Sequence, residues 1–341
     1  MSLLEIKGLE TEFQTEQGVV KALRGINYTV DRGEVLGIVG ESGSGKSVGM
    51  LSLMGLLAPN GTVTAGEMIF DGEDISPIKY KTKKEKKEYE KKMNQIRGND
   101  ISMIFQDPMS YLNPIVTIEK QMTEGIRFHT KCSKKEAVQR AVELMKMVGI
   151  PAPESRLKQY PFEFSGGMRQ RIIIAIALAC NPKLIVADEP TTALDVTVQA
   201  QILDLLKDIT KESNAGVIII THDLGVVASL CDRISIMYGG NIMEEGTTDE
   251  IFYDPKHPYT KGLLNSIANS NVDHREPLKP IPGTPPDLLK LGDQCPFASR
   301  CSEAMEICTK ASPLVTEFGE KHKCKCWLHC KDRWHEVLKG E

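Results

Sequence analysis

The feature that most restricts this sequence is a glycine-rich segment at residues 40–47, Gly-Glu-Ser-Gly-Ser-Gly-Lys-Ser. It follows a short apolar run, Val35 to Val39, and leads into a helical pattern from Lys46 to Leu57. G-x-x-x-x-G-K-S between a strand and a helix is the pattern of a phosphate-binding loop. Its glycines let backbone N–H groups approach phosphate oxygens, the helix N-terminus adds partial positive charge, and the lysine reaches the β- and γ-phosphates. We therefore expect a doubly wound α/β core that binds a nucleotide.

The side chains of this loop suit a nucleotide bound with magnesium. Ser47 directly follows the lysine, the position whose hydroxyl ligates Mg²⁺ in phosphate-binding loops. The contacts with the bound nucleotide predicted for this part of the chain are those of Gly40, Ser42, Gly43, Ser44, Gly45, Lys46, Ser47 and Val48.

A second apolar run, Leu184 to Ala187, ends in two carboxylates, Asp188 and Glu189. Open α/β sheets bind their ligands at the carboxyl ends of the strands. The two acids suit different tasks: Asp188 is expected in the magnesium shell, and Glu189 is expected to polarise the attacking water as a general base. An isolated acidic strand end is more often a solvated turn, so this assignment depends on the phosphate loop.

A third segment, residues 164–171, opens a helix with a serine followed by two glycines, Ser165, Gly166 and Gly167, but it lacks the lysine of a phosphate loop. A serine hydroxyl and helix N-terminal amides bind negative charge but cannot hold a nucleotide alone. The segment therefore predicts half of an anion site, which a second chain presents to the γ-phosphate. An ordinary helix N-cap is the alternative.

The remaining pattern predicts the organisation of the chain. Alternating apolar residues from Leu4 to Val30 indicate a β-rich start, and helical spacing at 118–149, with Ser133 as N-cap, indicates inserted helices. Gly239-Gly240 between two apolar runs predicts a hairpin, after which prolines lead into a cysteine-rich tail. We place a nucleotide-binding domain at 1–251, a helical subdomain within it at about 107–180, and a C-terminal extension at 252–341.

Charge and hydropathy limit the partners. With 42 basic and 46 acidic side chains, the net charge of −4 argues against wholesale binding of nucleic acid. The N-terminus fits neither a signal peptide nor a transit peptide, and the longest apolar run, Ile172 to Cys180, is far shorter than the roughly 20 residues of a membrane-spanning helix. We expect a cytoplasmic protein whose membrane role is peripheral.

The lysine-rich run at 79–92 favours a solvated helix or loop, with contact to anionic lipid as the alternative.

In their order along the chain, these motifs resemble those of ATP-binding cassette (ABC) proteins. The resemblance covers about the first 250 residues and includes Gln106, Ala193-Leu194-Asp195 and His222. It implies a P-loop NTPase cassette of the α/β class: a RecA-like core, an N-terminal antiparallel β-subdomain, an inserted helical subdomain and here a small Cys-rich C-terminal extension.

The same resemblance implies further site residues. Phe13 is similar to the aromatic that stacks on adenine, although a buried strand residue is nearly as good an interpretation. Gln106 resembles the glutamine that senses magnesium and the transmembrane subunits, and Asp195 resembles the residue that crosses the dimer seam. His222 resembles the switch histidine at the γ-phosphate, which completes a predicted catalytic set with Glu189 and Gln106.

Six of the nine cysteines lie between Cys295 and Cys330. The spacing of four of them fits neither a zinc ribbon nor a redox dithiol, yet four thiolates could hold one soft-metal centre. The tail resembles the C-terminal extension of ATPases from oligopeptide and dipeptide importers. That resemblance implies a [4Fe–4S] cluster, with zinc or a metal-free tail as alternatives; the implied ligands are Cys295, Cys301, Cys308 and Cys326, with Cys324 a rival for the fourth.

The resemblance as a whole implies the ATP-hydrolysing subunit of an ABC importer for oligopeptides or dipeptides, bound at the cytoplasmic face of the membrane. Implied partners are a second ATPase subunit, expected to be a paralogue, two transmembrane permease subunits and an extracytoplasmic peptide-binding protein. A nickel or other small-solute importer is the nearest alternative. A soluble cassette ATPase acting on nucleic acid or ribosomes is disfavoured, because only one cassette and an insertion of ordinary length are present.

Overall fold

A computed structural model describes residues 2–105, 111–191, 195–266, 281–330 and 334. The strands in these ranges are β1 (Leu4–Thr15), β2 (Gly18–Val30), β3 (Val35–Val39), β4 (Gly61–Phe70), β5 (Glu73–Asp74), β6 (Ile101–Ile104), β7 (Leu184–Asp188), β8 (Gly216–Thr221), β9 (Arg233–Tyr238), β10 (Asn241–Thr247), β11 (Val315–Glu317) and β12 (Lys323–Lys325). The α-helices are α1 (Lys46–Met54), α2 (Lys83–Ile96), α3 (Ile118–Thr130), α4 (Lys134–Met147), α5 (Pro153–Arg156), α6 (Gly166–Ala177), α7 (Val196–Ser213), α8 (Leu224–Leu230), α9 (Thr248–Tyr253), α10 (Pro258–Asn265) and α11 (Glu306–Lys310). Among these helices, none has the length and apolarity that crossing a bilayer demands.

The chain forms two compact units. Unit I consists of Met1–Leu4, Val30–Val35 and Lys79–Ile220, and unit II consists of Glu5–Thr29, Leu36–Ile78 and Thr221–Glu341. Unit I contains the acidic strand and the serine-glycine segment, whereas unit II contains the phosphate loop and the described part of the cysteine-rich extension.

Unit I is built on three parallel strands in the order β8–β7–β6. Every residue of β7 is buried, as expected for a parallel strand covered on both faces. Helix α4 packs against α3 and α6, and its apolar stripe is fully buried. The predicted N-cap at Ser133 is confirmed: its hydroxyl accepts from the Glu136 backbone N–H, and the Glu136 carboxylate accepts from that of Ser133.

Unit II has two sets of strands. The first has the order β2–β1–β4–β5, and a connection of only two residues makes β1 and β2 a hairpin. The second has the order β11–β12–β10–β9–β3, with β3 parallel to β9 and the other pairs antiparallel. The predicted hairpin is confirmed, because Gly239 and Gly240 connect β9 to β10 with positive φ angles of 52° and 76°. Strands β11 and β12 belong to the extension and continue this sheet through β10.

The lysine-rich run at 79–92 falls largely on α2, whose N-cap Thr82 forms a capping box with Glu85. Most of its charged side chains are exposed, while Tyr89, Met93 and Ile96 are buried. The solvated helix that the sequence favoured is therefore present.

Candidate functional site

The phosphate loop connects β3 to α1 in unit II, and its lysine is folded into it. The Lys46 ammonium donates to the carbonyl oxygens of Gly40, at 2.7 Å, and Glu41, at 2.9 Å. Lys46 is the first residue of α1 and is buried, whereas Ser47 is exposed. The segment thus presents an exposed hydroxyl at a helix N-terminus, beside a lysine held in the loop.

At two glycines of the loop, neighbouring backbone leaves no room for a side chain. A Cβ atom at Gly40 would lie 2.1 Å from the Met237 carbonyl oxygen. Gly45 caps α1 with φ 103°, and a Cβ there would meet the Ala22 carbonyl oxygen at 2.8 Å. Gly43 also has a positive φ, 77°, but faces open space. Glycine at 40 and 45 therefore allows the loop to lie against the neighbouring backbone.

The second residue of the loop, Glu41, is held by the C-terminal extension. Both Glu41 carboxylate oxygens accept from the Arg300 guanidinium, at 2.6 and 3.1 Å. The Glu41 backbone N–H donates to the Tyr259 hydroxyl at 3.0 Å. No sequence motif predicts these contacts, although an acid inside an anion-binding loop is itself a signal that a counter-charge is needed.

The acidic strand end in unit I has an unusual backbone. Asp188 is the buried last residue of β7, and Glu189 is half-buried. Glu189 has a left-handed φ of 46°, and its backbone N–H donates to the Ile220 carbonyl at 2.8 Å. Next to it, the buried Gln170 amide donates to the Pro190 carbonyl at 2.7 Å. These hydrogen bonds hold the turn after β7 in a conformation that costs a non-glycine residue on the order of 1–3 kcal/mol.

The serine-glycine segment forms the start of α6 in unit I. Ser165 is the N-cap, and its hydroxyl accepts from the Met168 backbone N–H at 3.4 Å. Ser165 and Gly166 are exposed, and a Cβ at Gly167 would lie 3.0 Å from Val198. The tip of this helix therefore offers a hydroxyl and backbone amides at the surface of its unit.

Three of the residues assigned by resemblance, Phe13, Asp195 and His222, lie within the described ranges. Phe13 is half-buried on β1, with its ring edge against Gly61 of β4. Asp195 is exposed and caps α7 by accepting from the Val198 N–H at 2.9 Å, and His222 is exposed directly after β8. Gln106, with Ala193 and Leu194, lies outside the described residues.

The four cysteines predicted as cluster ligands lie in one part of the extension. Burial raises the pKa of Cys295 to about 12, and Cys308, Cys326 and Cys301 each add to that shift. A hydrogen bond from Cys324 lowers the pKa of Cys326, while the Cys308 sulfur accepts from the Met305 N–H at 3.5 Å.

The described side chains show no preformed metal site at these cysteines. Within the described ranges, no group of three or more His, Cys, Asp or Glu side chains is placed to hold a metal ion. The predicted iron–sulfur ligation by Cys295, Cys301, Cys308 and Cys326 therefore stays a prediction.

Comparisons with known proteins agree with the motifs. The profile of the family described as "ABC transporter" matches residues 23–192, and "Oligopeptide/dipeptide transporter, C-terminal region" matches residues 243–308. Among solved structures, the ATP-binding cassette MJ0796, a dimer in a post-hydrolysis state bound to ADP and Pi, superposes with a TM-score of 0.61 at 29% identity. The match covers 72% of this chain and 98% of that one, so the cassette fold expected from the sequence is confirmed.

Two curated relatives match almost the whole chain. The oligopeptide transport ATP-binding protein OppD of Bacillus subtilis is 52% identical over 327 residues, covering 96% of this chain and 88% of that protein. The dipeptide transport ATP-binding protein DppD of the same organism is 48% identical over 340 residues, covering 99% and 98%. This chain therefore belongs to the family of oligopeptide and dipeptide transport ATP-binding proteins of ABC transporters.

Proposed function

We propose that this chain is the ATP-hydrolysing motor subunit of an ABC importer for oligopeptides or dipeptides. The observation that carries the proposal is the match of the peptide-transporter C-terminal region to residues 243–308, in a chain that also matches the ABC transporter family at residues 23–192. Cassette motifs alone describe the motor, whereas the extension is the part that points to peptides as cargo.

In the proposed site, the phosphate loop binds the ATP phosphates through its backbone amides and Lys46. The Ser47 hydroxyl and the Asp188 carboxylate are hard oxygen donors, which suit Mg²⁺. Magnesium, when bound, would neutralise part of the phosphate charge. Glu189 accepts a proton from the attacking water, and its place directly after β7, with a left-handed backbone, supports this role. His222 contacts the γ-phosphate.

Two further contacts belong to this proposal. Phe13 stacks on the adenine, which its half-buried position on β1 allows. Gln106 takes part in the magnesium shell and relays the state of the transmembrane subunits.

A second ATPase subunit completes the site, and we propose that it is a paralogue of this chain. Ser165, Gly166 and Gly167 of one subunit cap the γ-phosphate bound to the other, and Asp195 lies at the seam. The exposure of Ser165 and Gly166 at the tip of α6 supports this role. As with any ligand-driven equilibrium, ATP favours the closed dimer only by the difference in its affinity for the two states.

The pair of ATPase subunits works on two transmembrane permease subunits, which receive peptide from an extracytoplasmic binding protein. This chain is thus placed at the cytoplasmic face of the cell membrane as a peripheral subunit. In this proposal residues 1–251 form the nucleotide-binding domain, with its helical subdomain at about 107–180, and residues 252–341 form the extension.

The extension is further proposed to hold a [4Fe–4S] cluster through Cys295, Cys301, Cys308 and Cys326. The soft thiol donors support this choice of ligands, as does the effect of Cys308, Cys326 and Cys301 on the pKa of Cys295. Iron and acid-labile sulfide analysis of anaerobically purified protein tests it. About four iron atoms and four sulfides per chain are expected; zinc without labile sulfide would point to the alternative centre.

The proposed function is tested first at Lys46. Lys46→Ala removes the ammonium that the phosphates require, so binding of MgATP to the purified full chain is expected to be lost by calorimetry. Reconstituted with its permease subunits, the parent should import peptide in an ATP-dependent manner, and the variant should not. Uptake of nickel but not peptide, or co-purification with nucleic acid in place of membrane subunits, would contradict the proposal.

A further inference from the structure

The phosphate loop contains a residue whose charge opposes its task. Glu41 is the second residue of a loop proposed to bind a polyanion. A carboxylate at this position repels the approaching phosphates, and the repulsion is stronger where the surroundings exclude water. A loop of this composition binds ATP well only if another group compensates for the carboxylate.

Arg300, from the extension, supplies that group in a fixed geometry. Its two terminal nitrogens donate to the two Glu41 carboxylate oxygens, at 2.6 and 3.1 Å. The remaining hydrogen bonds of the guanidinium go to the Tyr238 hydroxyl at 3.0 Å, the Ile281 carbonyl at 3.2 Å and the Pro282 carbonyl at 2.9 Å. The Arg300 side chain is only 5% exposed. Such a two-pronged, buried contact is far more specific than a mobile surface pair.

Glu41 also connects Arg300 to the phosphate-binding lysine, because it accepts hydrogen bonds from both side chains. Glu41 accepts Arg300 on its side chain and Lys46 on its carbonyl oxygen, the latter at 2.9 Å. Its N–H donates to Tyr259. Extension residues Pro285, Pro286 and Leu288 also line a small cavity together with loop residues Ser42, Gly43 and Ser44. The extension therefore covers one side of the phosphate loop within unit II.

We propose that Arg300 is a positioning residue that neutralises Glu41 and so makes the ATP affinity of the phosphate loop depend on the docked extension. The inference rests on the proposed function, since it concerns the same nucleotide site. It gives the extension a part in the ATPase that does not require any metal centre.

Binding of MgATP to the purified full chain tests this inference by calorimetry, with steady-state ATPase measured in the assembled transporter. Arg300→Gln leaves the Glu41 charge uncompensated, so the dissociation constant is expected to rise about tenfold. The KM for ATP should rise in parallel while kcat at saturating ATP stays within about twofold, because saturation restores occupancy. Lys310→Gln, which breaks the exposed Lys310–Glu306 pair of the same extension, is the matched control and should change neither.

A double variant that removes both charges tests whether Arg300 acts by neutralising Glu41 or only by supporting the structure. The double variant Glu41→Gln/Arg300→Gln is expected to return to within about threefold of the parent affinity, because no carboxylate remains to be compensated. Arg300→Lys keeps the positive charge but loses the two-pronged geometry, so its affinity should lie between those of the parent and Arg300→Gln. Parent-like binding by Arg300→Gln would overturn the inference, as would a double variant that binds about tenfold more weakly than the parent.

Lys46→Ala, measured in parallel, distinguishes the two possible failures. If it loses ATP binding while the Arg300 variants behave as the parent, only the role of Arg300 fails. If it binds ATP normally, the proposed nucleotide site itself is wrong.

Discussion

At the scale of single residues, His257 shows how unit II depends on a neutral imidazole. His257 is only 1% exposed, and its Nδ1 accepts the Tyr259 backbone N–H at 3.0 Å as the N-cap of α10. Burial, with smaller contributions from the nearby His329 and Lys261, lowers the pKa of His257 to about 3. The folded chain therefore keeps this side chain neutral, whereas an unfolded histidine gains a proton near pH 6.5.

The sign of the resulting pH dependence follows from this difference. Below about pH 6.5 the unfolded state binds a proton that the folded state does not, so His257 stabilises the fold above that pH and its contribution is lost as the pH falls toward 3. The loss approaches about 1.4 kcal/mol per pH unit. His257→Asn keeps an acceptor for the Tyr259 N–H but does not titrate. Urea unfolding at pH 7 and pH 5 should show a shallower decline for the variant, and an unchanged decline would contradict this role.

At the scale of secondary-structure elements, two serines form the same kind of N-cap but are expected to have different functions. Ser133 caps α4 through a reciprocal capping box with Glu136, whereas Ser165 caps α6 through a single contact, which its hydroxyl accepts from the Met168 N–H at 3.4 Å. A cap is worth about 1 kcal/mol to its helix. The weaker cap at Ser165 leaves its exposed hydroxyl suited to a phosphate from a second subunit.

The matched variants Ser133→Ala and Ser165→Ala separate these roles. Ser133→Ala is expected to lower the free energy of unfolding by about 1 kcal/mol and to leave ATP hydrolysis by the assembled transporter unchanged. Ser165→Ala should lower stability less but reduce hydrolysis by about 100-fold, the usual effect of removing one donor to a developing charge. Denaturant titration and steady-state ATPase assays measure the two effects. Equal loss of hydrolysis in both variants would mean that Ser165 acts only as a cap.

The elements themselves could be predicted from the sequence because their signals are local. Apolar runs specify β7 and β8, helical spacing after Ser133 specifies α4, and paired glycines specify the β9–β10 hairpin. The ion pair between Glu41 and Arg300 joins residues 259 positions apart, and the pairing of β12 with β10 joins Glu244 to Cys324, 80 positions later in the chain. No periodicity or turn chemistry encodes such contacts, since they depend on the packing of the whole unit.

For the molecule as a whole, the candidate site residues belong to two different units of the chain. The phosphate loop and His222 lie in unit II, whereas Asp188, Glu189 and Ser165 lie in unit I. The residue types were predicted from motif spacing, because phosphate binding and water activation need particular side chains after particular elements. The left-handed backbone at Glu189 was not, because it depends on tertiary contacts such as the hydrogen bond to the Ile220 carbonyl.

The two-subunit mechanism makes its most direct prediction at Glu189. Glu189→Gln keeps the size and backbone of the residue but cannot accept the proton of the attacking water, so ATP should bind normally and hydrolysis should fall by at least about 100-fold. Because unhydrolysed ATP continues to favour the closed state, the variant assembled with its natural partner should accumulate as a stable ATP-bound dimer. An ATP preference of about 10⁴-fold is needed to change that population from 1% to 99%.

Analytical ultracentrifugation with and without MgATP measures this accumulation, and Lys46→Ala serves as the control that should not dimerise with ATP. The closed dimer is expected because each phosphate loop lacks the serine and glycines that only the other subunit presents to the γ-phosphate. Rapid turnover by Glu189→Gln would remove the general base from the mechanism. A nucleotide-saturated variant in which one polypeptide alone encloses the triphosphate would instead remove the need for a second subunit, and with it the functional reason for an exposed Ser165 at the tip of α6.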